Sequence, residues 1–146
     1  MLKEKLMEDL KSAMKEKNIN KKNAVQMVRT AILQIEKDKG IEVEDEKILE
    51  IIAKEVKTRK DSLTEFEKAG RDDLIKQTQE EIEVLSTYLP KQLSKEELTE
   101  KIKEIITQIG ASSIKDMGAV MKEAKKQIGT AADGKTINEV VKELLN

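Results

Sequence analysis

The sequence predicts an all-α protein in two parts: an N-terminal helical subdomain of about four helices (residues 1–90) and a C-terminal three-helix bundle (residues 91–146). Three observations lead there. Apolar residues recur at spacings of three and four rather than two along the 146-residue chain, the period of a helix with one buried face. One proline and six glycines leave few places for the chain to turn. The lone proline, Pro90, cannot continue a helix and biases Leu89 away from helical geometry, which makes it the best boundary in the chain.

Leu2, Leu6, Leu10 and Met14 form the apolar stripe of a first helix, and Val25, Val28, Ile32 and Ile35 that of a second, after the polar stretch Lys17 to Asn23. Gly40 is placed to stop the second. The longest stripe runs through Ile48, Leu49, Ile52, Val56, Leu63 and Phe66, from about Asp45 to Ala69, with Gly70 as its stop. Its acidic approach, Glu42 to Glu46, suits the positive end of a helix dipole and reads as solvated first-turn acids rather than a metal site. A fourth helix from about Asp72 carries Leu74, Ile75, Ile82, Leu85 and Leu89 and ends at Pro90.

Beyond the proline, Ser94-Lys95-Glu96-Glu97 reads as a capping box ahead of Leu98, Ile102, Ile105, Ile106 and Ile109, closed by Gly110. A second start, Ser113 to Asp116, precedes Met117, Val120, Met121, Ala124 and Ile128, closed by Gly129. The last helix begins near Thr136 and buries Ile137, Val140, Val141, Leu144 and Leu145. Three amphipathic helices with short connections form a bundle.

Composition narrows the chemistry. There is no Cys and no His, which removes disulfides, thiolate nucleophiles, Cys/His zinc sites and Ser-His-Asp machinery. Ser94, Ser112 and Ser113 stand where helix caps are needed, and no glycine loop has the strand-loop-helix context that cradles a phosphate. Neither a catalytic residue, a metal nor a cofactor is expected. Residues Met1 to Leu6 carry acids and no unbroken apolar run, and no segment approaches the ~20 apolar residues of a membrane span. A soluble, cytoplasmic protein with no membrane partner is the expectation.

Net charge is −1, from 28 basic and 29 acidic residues, so any nucleic-acid contact must come from a local patch. On the helix from Ser113 to Ile128, Lys115, Lys122 and Lys126 follow spacings of seven and four. At 100° per residue they share a stripe about 40° wide and ~16 Å long, enough for several phosphates. Lys125 lies near its edge, Lys135 in the next loop extends it, and Asp116 and Glu123 flank it. A helix with one apolar face must put charges on the other, so solvated surface is the simpler reading of such a stripe. One Phe, one Tyr and no Trp leave little to stack on bases, so contact with RNA is expected through backbone and shape. Residues 1–29 form another basic stretch, with eight basic and four acidic residues; Lys21, Lys22 and Arg29 cluster around a helix start.

Arg59-Lys60-Asp61-Ser62, Phe66, Ala69-Gly70-Arg71, Asp73-Leu74 and Tyr88-Leu89-Pro90-Lys91-Gln92-Leu93-Ser94 together resemble the signature of the YqeY family. Met117 to Glu123, followed by Ala132-Asp133-Gly134-Lys135, resembles the same family and also the tail domain of GatB, a component of the aspartyl/glutamyl-tRNA amidotransferase. The resemblance spans the whole chain. It implies two helical subdomains, the smaller C-terminal one being the part that in the amidotransferase is associated with gripping tRNA. The positions it carries over as tRNA contacts are Gly118, Lys122, Gly134 and Lys135; Lys115, Lys125 and Lys126 join them through the charge argument alone. The chain departs from the family pattern at Gly129 to Gly134, where no basic residue precedes Ala132-Asp133-Gly134.

The expected function is therefore a non-catalytic helical module that binds tRNA, or an assembly containing it, through the C-terminal bundle. Two alternatives stand beside it. The resemblance carries the name of a glutamine-dependent carbon-nitrogen ligase, in which this chain would hold tRNA for an amidotransferase or another translation-related protein, since it has no recognisable ATP or glutamine site. The other alternative is a module that binds proteins only.

Overall fold

In the computed structural model, which describes residues 1–146, the chain forms seven α-helices and no strand. It is all-α, as the spacing of the apolar residues predicts. The helices are α1 (Leu2–Glu16), α2 (Ile19–Lys39), α3 (Asp45–Ala69), α4 (Asp72–Ser86), α5 (Lys95–Ile109), α6 (Met117–Ile128) and α7 (Gly134–Leu145). The chain divides into two compact units, Met1–Leu89 and Pro90–Asn146.

In the first unit α1 packs on α2, and α4 packs on both α2 and α3. Leu6 and Leu10 of α1, Val25, Val28 and Ile32 of α2, Ile48, Ile52 and Val56 of α3, and Leu85 of α4 meet in one core. Each such side chain stabilises the fold by ~1.5–3 kcal/mol when fully withdrawn from water. Met14 does not join them: it is 57% exposed, while Ala13 is fully buried. The chain folds back over this point, the Ala13 carbonyl accepting from Asn18 N–H (2.9 Å).

Two polar devices tie the helices together. The Glu36 carboxylate accepts from Val43 N–H (2.9 Å) and pairs with Lys3, so one side chain of α2 holds both α1 and the segment leading into α3. Those bonds keep the Glu36 carboxyl below the usual carboxylate range, the Lys3 partner contributing most. The second device explains a motif. The Tyr88 hydroxyl donates to the Asp9 carboxylate of α1, with Lys5 5.3 Å above the ring. Burial, and then Asp9, push the phenol well above its ordinary value. Helix α4 accordingly ends at Ser86, before Pro90 requires it. Turns through Thr87 and Leu89 carry Tyr88 to its buried position.

The second unit is a bundle in which α5, α6 and α7 pack pairwise. Its core holds Leu98, Ile102 and Ile105; Val120, Ala124 and Ile128; and Ile137, Val140, Val141 and Leu145. The capping box at its start is present: Ser94 Oγ accepts from Glu97 N–H (3.1 Å) and Glu97 Oε1 from Ser94 N–H (3.2 Å). Two helix starts differ from the periodicity. Residues Ile114–Asp116 form a 3-10 turn ahead of α6, and α7 begins at Gly134 rather than near Thr136, because Asp133 caps it.

Candidate nucleic-acid interface

The first turns of α6 and α7 are set by short acidic side chains. Asp116 Oδ2 accepts from the backbone N–H groups of Ser112 (2.9 Å) and Ser113 (3.3 Å), fixing the approach to α6. Asp133 Oδ1 accepts from Lys135 N–H (3.4 Å) at the start of α7. The apolar faces then turn inward through Val120, Ala124 and Ile128, and through Ile137, Val140 and Val141. What remains outward is the candidate surface. Lys115, Gly118, Lys122, Lys125, Lys126, Gly134 and Lys135 are all exposed.

The connection through Gly129 and Asp133 ties Lys125 and Lys126, in the last turn of α6, to Gly134 and Lys135, in the first turn of α7. Gly118 lies ~12 Å along α6 from Lys126, at the other end of the helix. Lys115 precedes α6 in the 3-10 turn. Turning 120° rather than 100° per residue, that turn widens the lysine stripe from about 40° to about 60°. The stripe stays on one side of the bundle.

The acids that flank the stripe do not neutralise it by pairing. Asp116 is committed to backbone N–H groups, and Glu123 Oε1 accepts from Gln127 Nε2 (2.9 Å). The ion pair of this unit, Lys103–Glu100, lies on α5. None of Lys115, Lys122, Lys125, Lys126 and Lys135 has a carboxylate within 4 Å.

The glycines separate into two kinds. Gly40, Gly70, Gly110 and Gly129 have positive φ and follow the ends of helices, where the backbone demands them. Gly118 and Gly134 do not: both lie in the first turn of a helix, and a Cβ at either would meet nothing within 4 Å. Glycine at an exposed helical position costs ~0.5–1 kcal/mol relative to Ala. The bundle itself gives no reason for glycine there.

A buried charge cluster in the first unit escapes sequence reasoning. Arg59, 9% exposed, pairs through Nη1 with Glu55 (2.6 Å) and lies 3.7 Å through Nε from Glu81, which is also buried. Its Nε–H has no hydrogen-bond partner. Burial raises the Glu81 carboxyl, with Arg59 opposing. The cluster borders an open cavity of about 640 Å³ against Gln26, Met27, Thr30 and Gln34 of α2. The sequence does hold a signal for it, since Arg59 occupies the vacant position of the α3 stripe between Val56 and Leu63. The first residue of the Arg59-Lys60-Asp61-Ser62 motif thus holds α3 against α4.

Comparison with known proteins adds the family context. A family model described as "Yqey-like protein" matches residues 3–145. Among curated proteins, the chain is similar to "Altered inheritance of mitochondria protein 41, mitochondrial" from several fungi. It is 31% identical over 126 residues to that of Clavispora lusitaniae, covering 84% of this chain and 74% of the relative. Identity is 27% over 147 residues for Pyrenophora tritici-repentis, covering 97% and 79%. For Candida glabrata it is 36% over 113 residues, covering 73% and 61%. These names correct the expectation of a cytoplasmic protein, because the relatives are named as mitochondrial. The physical reason is that composition and cysteine content of a folded domain read alike in cytosol and organelle, so they do not report residence.

Proposed function

The chain belongs to the YqeY family, and on that premise we propose that it is a non-catalytic helical module that binds tRNA through its C-terminal unit. One observation carries the reading: unpaired lysines and conformationally unnecessary glycines share the surface of α6 and the start of α7. Lysines there meet phosphates as point charges. Glycines at 118 and 134 leave the helix backbone open to close approach by a sugar-phosphate chain, which a methyl group would hold off. With no aromatic residue in this unit, base stacking contributes nothing, and the recognised feature is the shape and backbone of a folded RNA.

Titration of the protein with bulk tRNA at two or more salt concentrations tests this. Four phosphate contacts, from Lys122, Lys125, Lys126 and Lys135, give log K falling with log salt at a slope of about −3. The double variant Lys122→Glu/Lys126→Glu is expected to weaken binding at least tenfold at unchanged helicity. Full affinity in that variant, or binding that does not respond to salt, removes the assignment.

A further inference from the structure

The corner where α1 turns into α2 departs from local stability rules at several positions, although Asn18 caps α2 by accepting from Lys21 N–H (3.1 Å). Lys17 caps α1 in the left-handed conformation, φ 59° and ψ 32°, and is the one non-glycine residue of the chain with positive φ. Helix α2 then opens with no acid in its first turn and with Lys21 and Lys22 near the positive end of its dipole, the reverse of the favoured placement. Ile19 is 68% exposed and Met14 57%. Met14, Lys17, Ile19 and Lys22 line one shallow cavity of about 370 Å³, with Lys11, Lys15 and Lys21 beside them in the chain. The single acid among residues 11–23, Glu16, accepts from Ser12 Oγ (3.1 Å), and none of the five lysines is in an ion pair. A strained cap, exposed apolar side chains and unpaired lysines that fall together mark a surface kept for another purpose.

We propose that this corner is a docking tip for an anionic phospholipid surface. Ile19 and Met14 enter the interfacial zone while Lys11, Lys15, Lys17, Lys21 and Lys22 meet lipid phosphates. Charge and exposed apolar area together select this occupant. Two aliphatic side chains fall far short of the ~800 Å² per partner that a stable protein interface buries, whereas a bilayer accepts a small apolar tip at its boundary and adds attraction for each lysine. RNA would satisfy the lysines and leave Ile19 and Met14 in water, with no aromatic residue at the corner to stack on a base. No helix of the chain is long and apolar enough to cross a membrane; docking on a surface needs none. The sequence-based expectation of no membrane partner rested on the near-zero net charge, the acids near the N-terminus and the lack of a spanning segment, none of which bears on a local basic tip.

Flotation of the full chain with vesicles tests the proposal. Pure phosphatidylcholine vesicles are compared with vesicles containing about a third phosphatidylglycerol. Binding to the anionic vesicles alone, reversed by salt, is expected. Each lysine near such a surface strengthens binding about fivefold, so Lys21→Glu/Lys22→Glu should weaken it at least ~30-fold, and Ile19→Asp at least tenfold. Both variants should keep the helicity and the tRNA affinity of the unaltered protein. Absence of flotation with anionic vesicles, equal flotation with neutral ones, or full binding by Ile19→Asp each overturns the proposal. So does a loss of tRNA affinity in either variant, which would assign the corner to RNA.

Discussion

Replacing Gly118 with Ala is expected to make the protein more stable and a poorer tRNA binder. Gly118 is the second residue of α6, is exposed, and has open space where a Cβ would stand. In a helix interior the exchange gains ~1 kcal/mol, chiefly by restricting the unfolded chain. In a first turn, where fewer backbone bonds depend on the residue, ~0.5–1 kcal/mol is the reasonable range. The unit concerned spans Pro90–Asn146, and for a domain of that size the gain raises its unfolding midpoint by about 2–8 °C. Far-UV circular dichroism during heating measures this, and tRNA titration of the same sample is expected to show affinity down at least tenfold. Gly110→Ala is the opposing control. At φ 77° the added methyl strains the backbone, costing ~1 kcal/mol, and tRNA affinity should not move. A destabilised Gly118→Ala protein would show that the fold needs this glycine, and unchanged affinity in a stabilised one would remove it from the interface. Either result refutes the reasoning.

Three further outcomes follow from the same geometry. Tyr88→Phe deletes a buried hydroxyl that donates to Asp9 and should lower stability in urea denaturation by ~1–2 kcal/mol; a change near zero would deny Tyr88 its place as the link between α4 and α1. Lys17→Gly relieves a left-handed conformation and should stabilise the first unit by ~1 kcal/mol, read from the shift of its thermal midpoint, whereas a loss would mean that Lys17 makes contacts outweighing the strain. The Glu97 carboxyl is held below its ordinary value of 4.5, first by the Ser94 backbone N–H and then by the Ser94 side chain, so its contribution is present above that pH and fades as pH falls through the lowered value. Glu97→Gln cannot titrate; the stability advantage of the unaltered protein over it should therefore shrink as denaturation is followed from pH 6 toward pH 3, and a constant gap would show that the box does not depend on the charge.

Much of this fold is legible in the sequence because it rests on local rules. Helical phase finds the buried faces, and Ser94 and Glu97 announce their cap three residues apart. Where phase alone decides, it is ambiguous: Ala13 and Met14 both stand one turn beyond Leu10, and only the return of the chain over Ala13 puts the smaller one inside. Arg59 sits in the phase of an apolar stripe, yet a charge there reads as surface until Glu81, twenty-two residues away, is seen buried beside it.

The candidate interface shows the same division between local and non-local information. Composition finds lysines and nearby acids in equal measure, and the sequence cannot tell that Asp116 and Glu123 are turned to other partners, leaving the lysines unpaired. Six glycines look alike as letters, and the expectation that glycines stop helices accounts for four of them. The other two, Gly118 and Gly134, became candidates only through their motif. Their lack of any conformational need appears when the backbone and the space around each Cα are known. A glycine that the fold does not require, kept at some cost in stability, points to something outside the fold that approaches it closely. That is why Gly118, rather than any lysine, gives the more discriminating test. A solvated lysine stripe is what any amphipathic helix presents, whereas an unforced glycine in a helix is a choice against stability.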